Sequence, residues 1–175
     1  DLIWASAGTN LGVRFLPGAL AFQPALAPPP GPEEAATVVW LDAFTTNVDR
    51  TAQNTNLLLW SDAMWLIDHG SSLYFHHNWD RAASFARERF AHVRQHVLLP
   101  LAGDLAAADE RARRVLGPDR FRCVAEMVPD AWLSDEPRFA GPEEHRRAYA
   151  EALTERLGHS SGFVEEAESA RAVLV

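Results

Sequence analysis

The stretch Asn47-Val48-Asp49-Arg50-Thr51-Ala52-Gln53-Asn54-Thr55-Asn56-Leu57-Leu58-Leu59-Trp60-Ser61-Asp62-Ala63-Met64-Trp65-Leu66-Ile67-Asp68-His69-Gly70 decides how this chain is laid out. Its first eight residues are polar and aperiodic and read as a loop. Two apolar runs follow, 56–60 and 64–67, too short for helices and separated by the turn-forming Ser61-Asp62-Ala63. That pattern predicts a β-hairpin. The hairpin folds the chain back, so Asp68 at its end returns to the loop that carries Asp49 and Asn54. Two carboxylates and an amide oxygen brought together in this way form a hard-oxygen set suited to magnesium.

Upstream, Gly31-Pro32-Glu33-Glu34 is a helix start, with proline in the first turn and acids at the positive end of the dipole. Ala36, Val39, Trp40, Ala43 and Phe44 then recur at helical spacing, predicting a buried helix to about Thr46. Residues 1–32 are punctuated by glycine and proline and read as irregular. Downstream, Ala82, Phe85, Ala86, Phe90, Val93 and Val97 predict one helical stripe ending near Pro100. Leu105 to Leu116 predicts a second, and 119–128 a shorter third. Gly141-Pro142-Glu143-Glu144 opens another helix that stops at Gly158, and residues 163–173 add a last one. The expected fold class is mainly α with a small β-hairpin (α+β). It forms one unit over 1–175, divided into 1–32, 33–79 and a helical subdomain at 80–175.

Composition narrows the function. The 175 residues carry a net charge of −8, and all sixteen basic side chains are arginine. Without clustered positive charge, broad nucleic-acid binding and adhesion to anionic membranes are disfavoured. Lysine-dependent chemistry is excluded within the chain. A lone cysteine, Cys123, excludes an internal disulfide and points to a reducing, cytoplasmic setting. The longest uncharged run, Phe15 to Pro32, is broken by Pro17, Pro24 and Pro28-Pro29-Pro30, so it predicts no membrane span.

Asn47-Val48-Asp49-Arg50 with Asn54, followed by Leu66-Ile67-Asp68-His69-Gly70, resembles the catalytic and metal-binding loops of HipA-like kinases. It is also similar to the Asp-Arg-His-x-x-Asn and Asp-Phe-Gly segments of phosphoinositide kinases. The resemblance runs from about residue 3 to residue 100 and includes Leu73-Tyr74-Phe75-His76-His77. It implies the C-terminal lobe of a protein-kinase-like fold and phosphoryl transfer from ATP to a hydroxyl of a protein Ser or Thr or of a small molecule. Asp49 would orient the acceptor and take its proton, and Asn54 and Asp68 would hold Mg2+ and, through it, the nucleotide. Arg50, the second catalytic residue, would brace a carboxylate or face phosphate, with a surface ion pair as the alternative.

The departures from these families are Thr51 in place of histidine and His69 in place of phenylalanine. The resemblance further implies a β-rich N-terminal lobe ahead of Asp1, whose lysine would clamp ATP.

Two alternatives stand beside this reading. One is a truncated kinase-like lobe that binds a partner and transfers nothing. The other is a hydrolase with a metal held by His69, His76 and His77 near Asp49 and Asp68. Against the latter, adjacent His76 and His77 on an extended segment would point to opposite sides. His92 and His96 lack the glutamate of a zinc-protease helix and read as surface or core-edge residues. The six tryptophans read as core or interface anchors. Trp4, Phe15 and Leu16 read as a patch for the N-terminal lobe to cover.

Overall fold

The computed structural model describes Trp4, residues 7–26 and residues 28–174. The first residues of the stretch likened to kinases, and Ala27, lie outside the described residues. The chain is mostly helical, with one small antiparallel sheet.

The post of the fold is α1 (Pro32–Thr45), which starts and stops where its sequence predicts. Its buried residues include Ala35, Ala36, Val38, Val39, Trp40, Ala43 and Phe44, so it is enclosed on most sides rather than along one stripe. Trp40 stacks on Phe44 at 5.1 Å, Phe44 stacks on Phe121 at 5.8 Å, and Phe163 meets both edge-on. Each ring hidden here contributes about 1.5–3 kcal/mol, making this the main source of cohesion. Thr46, left-handed at φ 55°, ends the helix and turns the chain into the polar loop.

The sheet has three strands in the order β1 (Leu20–Ala21), β2 (Leu57–Trp60), β3 (Ala63–Leu66). The expected hairpin is β2–β3, paired Leu57↔Leu66 through Trp60↔Ala63. Ser61 and Asp62 form its two-residue turn, both with positive φ, as the twist of paired strands demands. The two-residue β1, inside the segment read as irregular, adds an edge strand through Leu20↔Leu59.

The remaining helices are α2 (Ala82–Arg87), α3 (Leu105–Val115), α4 (Pro118–Glu126), α5 (Pro142–Gly158) and α6 (Ser160–Leu174). The single helix expected over 82–97 is not formed. After α2 the chain leaves helical geometry at Glu88, turns left-handed at Phe90 and continues as short 3₁₀ turns, Ala91–Gln95 and Leu99–Leu101. The apolar stripe is nonetheless buried at Phe85, Phe90, Val93 and Val97. Tertiary demands decide the backbone here. The carbonyls of Phe85 and Glu88 accept from Arg156, and His96 is drawn to the buried face of α1.

A second cluster, Phe75, Trp79, Phe85 and Ala152, fastens the segment after the hairpin to α5. Trp40 and Trp79 are core anchors as expected, whereas Trp4, Trp65 and Trp132 are exposed. Phe15 is exposed with Trp4, and Leu16 is half-buried. Among the described residues, no helix is long and apolar enough to cross a membrane.

Candidate functional site

The hairpin delivers Asp68 to the Asp49 loop through one further rung. Beyond the last strand pair, the Ile67 N–H donates to the Asn56 carbonyl at 3.0 Å. The Asn56 side chain turns the other way and donates to the Asp49 carbonyl and to Asp49 Oδ2, both at 3.2 Å. Thus Asp49 and the residue preceding Asp68 share one asparagine. Asn54 joins them, its Nδ2 donating to Asp49 Oδ2 at 2.9 Å. The loops cross again where the Val48 N–H donates to the Ser71 carbonyl (3.3 Å) and the Leu73 N–H to the Thr45 carbonyl (2.8 Å). Asp68 sits in left-handed backbone at φ 50°, exposed, with the Gly70 N–H 3.4 Å from its Oδ1. Asp49 is half-buried and Asn54 exposed, so all three can meet a ligand from solvent.

Arg50 does not share that surface. It is 1 % exposed and ion-paired through Nε with Asp42, which is wholly buried on α1. Its Nη1 donates to the Asn56 carbonyl, and its Nη2 lies 3.3 Å from His69 Nε2. Of the roles open to Arg50, the geometry supplies the brace; a buried, inward guanidinium forms no surface ion pair and has no access to a phosphate outside.

Asp42 accepts from three directions: from Arg50, from Asn47 Nδ2 at 3.0 Å and from His96 Nε2 at 2.9 Å. Burial pushes the Asp42 carboxyl up, but hydrogen bonds from His96 and Arg50, together with the Arg50 charge, outweigh that and hold it below its ordinary value. Sequence reasoning missed Asp42, His96 and Asn56. The signal for Asp42 was there: an acid among Val38, Val39, Trp40, Ala43 and Phe44 lies on a face that must be buried, and a buried acid requires a partner.

The adjacent histidines depart from expectation. His76 and His77 do not point apart, because the segment is a 3₁₀ turn, Tyr74–His77, rather than a strand. Their Nε2 atoms are 3.0 Å apart, a hydrogen bond in which one ring donates and the other accepts. His92 is exposed, and His96 belongs to the Asp42 network. Among the described residues, no three His, Cys, Asp or Glu side chains converge to hold a metal ion. Two carboxylates with an amide oxygen are a smaller set. Magnesium, the ion expected there, needs few protein oxygens because it completes its octahedron with phosphate oxygens and water.

Fold and site together define a mostly helical α+β protein whose polar loops, Asn47–Asn56 and Ile67–Ser71, are pinned against each other by a hairpin. Comparison with protein-family models, with curated proteins and with solved structures finds no match.

Proposed function

We propose that this chain is the C-terminal, catalytic-loop lobe of a HipA-like kinase, which in its full-length context carries out magnesium-dependent phosphoryl transfer from ATP to a hydroxyl of a protein or small molecule. The observation that supports it most is the shared asparagine: Asn56 holds Asp49 through its side chain and Ile67, next to Asp68, through its backbone. Holding the two loops in one register is what a site built from both would use to position its groups.

In this reading Asp49 sits where the acceptor hydroxyl arrives. The hydroxyl oxygen forms a bond to the γ-phosphorus, the bond from that phosphorus to the ADP oxygen breaks, and the hydroxyl proton passes to the Asp49 carboxylate. Asn54 sets the rotamer of Asp49 through its 2.9 Å hydrogen bond. The side-chain oxygens of Asn54 and Asp68 are the ligands for Mg2+, which when bound neutralises the phosphate charge. Arg50 holds the loop from beneath. A β-rich lobe covering ATP is the partner that the resemblance to HipA-like kinases implies.

The test is a titration of the 15N-labelled chain with Mn2+, a paramagnetic stand-in for Mg2+. Selective broadening of amides in 47–56 and 67–71, abolished by Asp68→Ala, is the expected result. Uniform broadening, or broadening unchanged in Asp68→Ala, refutes the assignment and leaves the non-catalytic binding module as the better reading. In the native gene product, Asp49→Ala should abolish ATP consumption.

A further inference from the structure

We infer that Asp42 and His96 are positioning residues of this site, acting through Arg50; the inference rests on the reading of Asp49, Asn54 and Asp68 given above. One guanidinium makes the connection. Its Nε meets Asp42, its Nη1 the Asn56 carbonyl with the Thr55 carbonyl 3.5 Å away, and its Nη2 faces His69 Nε2 at 3.3 Å. Asn56 carries Asp49, and His69 follows Asp68, so the one cation touches both loops behind the surface they present.

The guanidinium is oriented in turn by Asp42, and Asp42 by His96. The Leu98 N–H donates to His96 Nδ1 at 3.1 Å, so Nδ1 is the lone-pair nitrogen and Nε2 carries the proton it donates to Asp42. The same segment grips the loop by its backbone. The Val97 N–H donates to the Arg50 carbonyl at 3.0 Å, and Thr51 bridges to His96. His96 therefore holds Arg50 at both ends, its carbonyl through the neighbouring Val97 and its guanidinium through Asp42.

Cohesion alone does not account for this arrangement. A buried ion pair of this kind is commonly matched or bettered in stability by apolar residues of similar volume. An apolar filling has no direction, however. A planar fork of five donors, fixed on one side by a carboxylate that is itself fixed, sets the separation of two loops to within a hydrogen bond.

The experiment separates positioning from mere packing. His96→Leu removes the donor to Asp42. His96→Gln keeps an N–H in the place of Nε2. Arg50→Lys keeps the charge, but a single ammonium cannot span Asp42, Asn56 and His69. All three leave Asp49, Asn54 and Asp68 intact. Mn2+ is the probe, read by amide broadening, with a thermal melt to confirm folding.

Loss of such a supporting contact weakens metal binding by about 10-fold or more, so that is expected of folded His96→Leu and Arg50→Lys. His96→Gln should recover binding to within a factor of about three, well inside the tenfold loss expected without the donor. Equal Mn2+ affinity in wild type, His96→Leu and Arg50→Lys overturns the inference, even where melting temperatures fall. Should His96→Leu fail to fold, Arg50→Lys against wild type decides it. If wild type itself shows no selective broadening, the failure is that of the phosphotransfer reading. In that case the coupling still shows as shifts of the Asn54 and His69 amides in Arg50→Lys without metal, and unmoved amides overturn it.

Discussion

Replacing Arg156 with methionine should cost the fold about 3–5 kcal/mol, the loss of four charge-assisted hydrogen bonds less the relief of no longer burying a cation. Arg156 is wholly buried and, among the described residues, forms no ion pair, although the Glu88 charge acts on it. Nε donates to the Phe44 carbonyl at 3.0 Å and Nη2 to that of Ala43 at 2.7 Å, both in the last turn of α1. Nη1 donates to Phe85 at 2.7 Å and Glu88 at 2.6 Å, where α2 ends. The guanidinium also lies over the rings of Phe85 and Phe163, at 5.0 and 4.7 Å. Burial pulls its pKa down to about 10, so it remains a cation at neutral pH, set at the negative ends of two helices.

Methionine fills similar space but removes four hydrogen bonds from a charged donor, at about 1.5–3 kcal/mol each, although the Ala43 and Phe85 carbonyls keep the Thr46 and Glu88 N–H groups. Relief from burying a cation returns several kcal/mol of that, which yields the net figure. At about 2–4 °C per kcal/mol for a chain of this size, the melting temperature should fall by roughly 6–20 °C. Urea unfolding at pH 7, with a calorimetric melt, measures both. Arg156→Lys should recover only part of the loss, since one ammonium cannot reach all four oxygens. A methionine variant within about 1 kcal/mol of wild type, less than one such hydrogen bond contributes at the low end of its range, would refute the argument.

Three further outcomes follow from the same contacts. Asp42 is held below its ordinary value near 3.8, so its stabilisation is fully present above that pH and is lost as pH falls through the folded value. Urea unfolding from pH 5 to pH 2 should therefore show a steeper loss for wild type than for Asp42→Asn, which should start lower at pH 7. His76 is held below 6.5 by burial first and by the charges of His77 and His145 next. In His77→Ala its NMR-monitored pKa should rise toward 6.5, and an unchanged value would assign the whole effect to burial. Asp62 occupies left-handed backbone at φ 61° in the hairpin turn, so Asp62→Gly should stabilise by about 0.5–1 kcal/mol, measured by thermal melt, and leave Mn2+ binding alone.

The parts of this fold that could be read from sequence are those with local punctuation. Gly31-Pro32-Glu33-Glu34 and Gly141-Pro142-Glu143-Glu144 open α1 and α5 where they predict, and Ser61-Asp62 closes the hairpin. The return of Asp68 to the Asp49 loop was legible for the same reason, since a four-residue hairpin leaves the chain nowhere else to go. The segment 82–97 misled because an apolar stripe reports burial and not backbone. Phe90 and Val93 are as hidden as a helix would make them, yet Phe90 has φ 57°. Arg156, which takes the carbonyls that would otherwise continue the helix, lies 68 positions beyond Glu88, and no local pattern conveys that. Arg50 was ambiguous for a like reason: its partner Asp42, and the His96 that holds Asp42, flank it at distances no motif spans.

Both buried arginines act on the end of α1, and that is where the absence of lysine acquires a structural sense. Arg156 binds the carbonyls of Ala43 and Phe44, and Arg50 binds the side chain of Asp42, so successive residues of one helical turn are fixed from opposite sides of the loop they launch. Each position requires a cation that reaches several acceptors at fixed angles. A guanidinium does this with a rigid fork, whereas an ammonium on a flexible stem offers three donors about one point. The sheet, ten residues in three strands, is too small to supply the core. Its contribution is to bring Ile67 opposite Asn56. The helix supplies the fixed frame, the arginines transmit it, and the hairpin selects which residue of the returning strand meets Asn56. A one-residue slip of β3 would present the opposite face of every side chain on it and place His69 or Ile67 where Asp68 now stands, so the site depends on strand register as much as on its own acids.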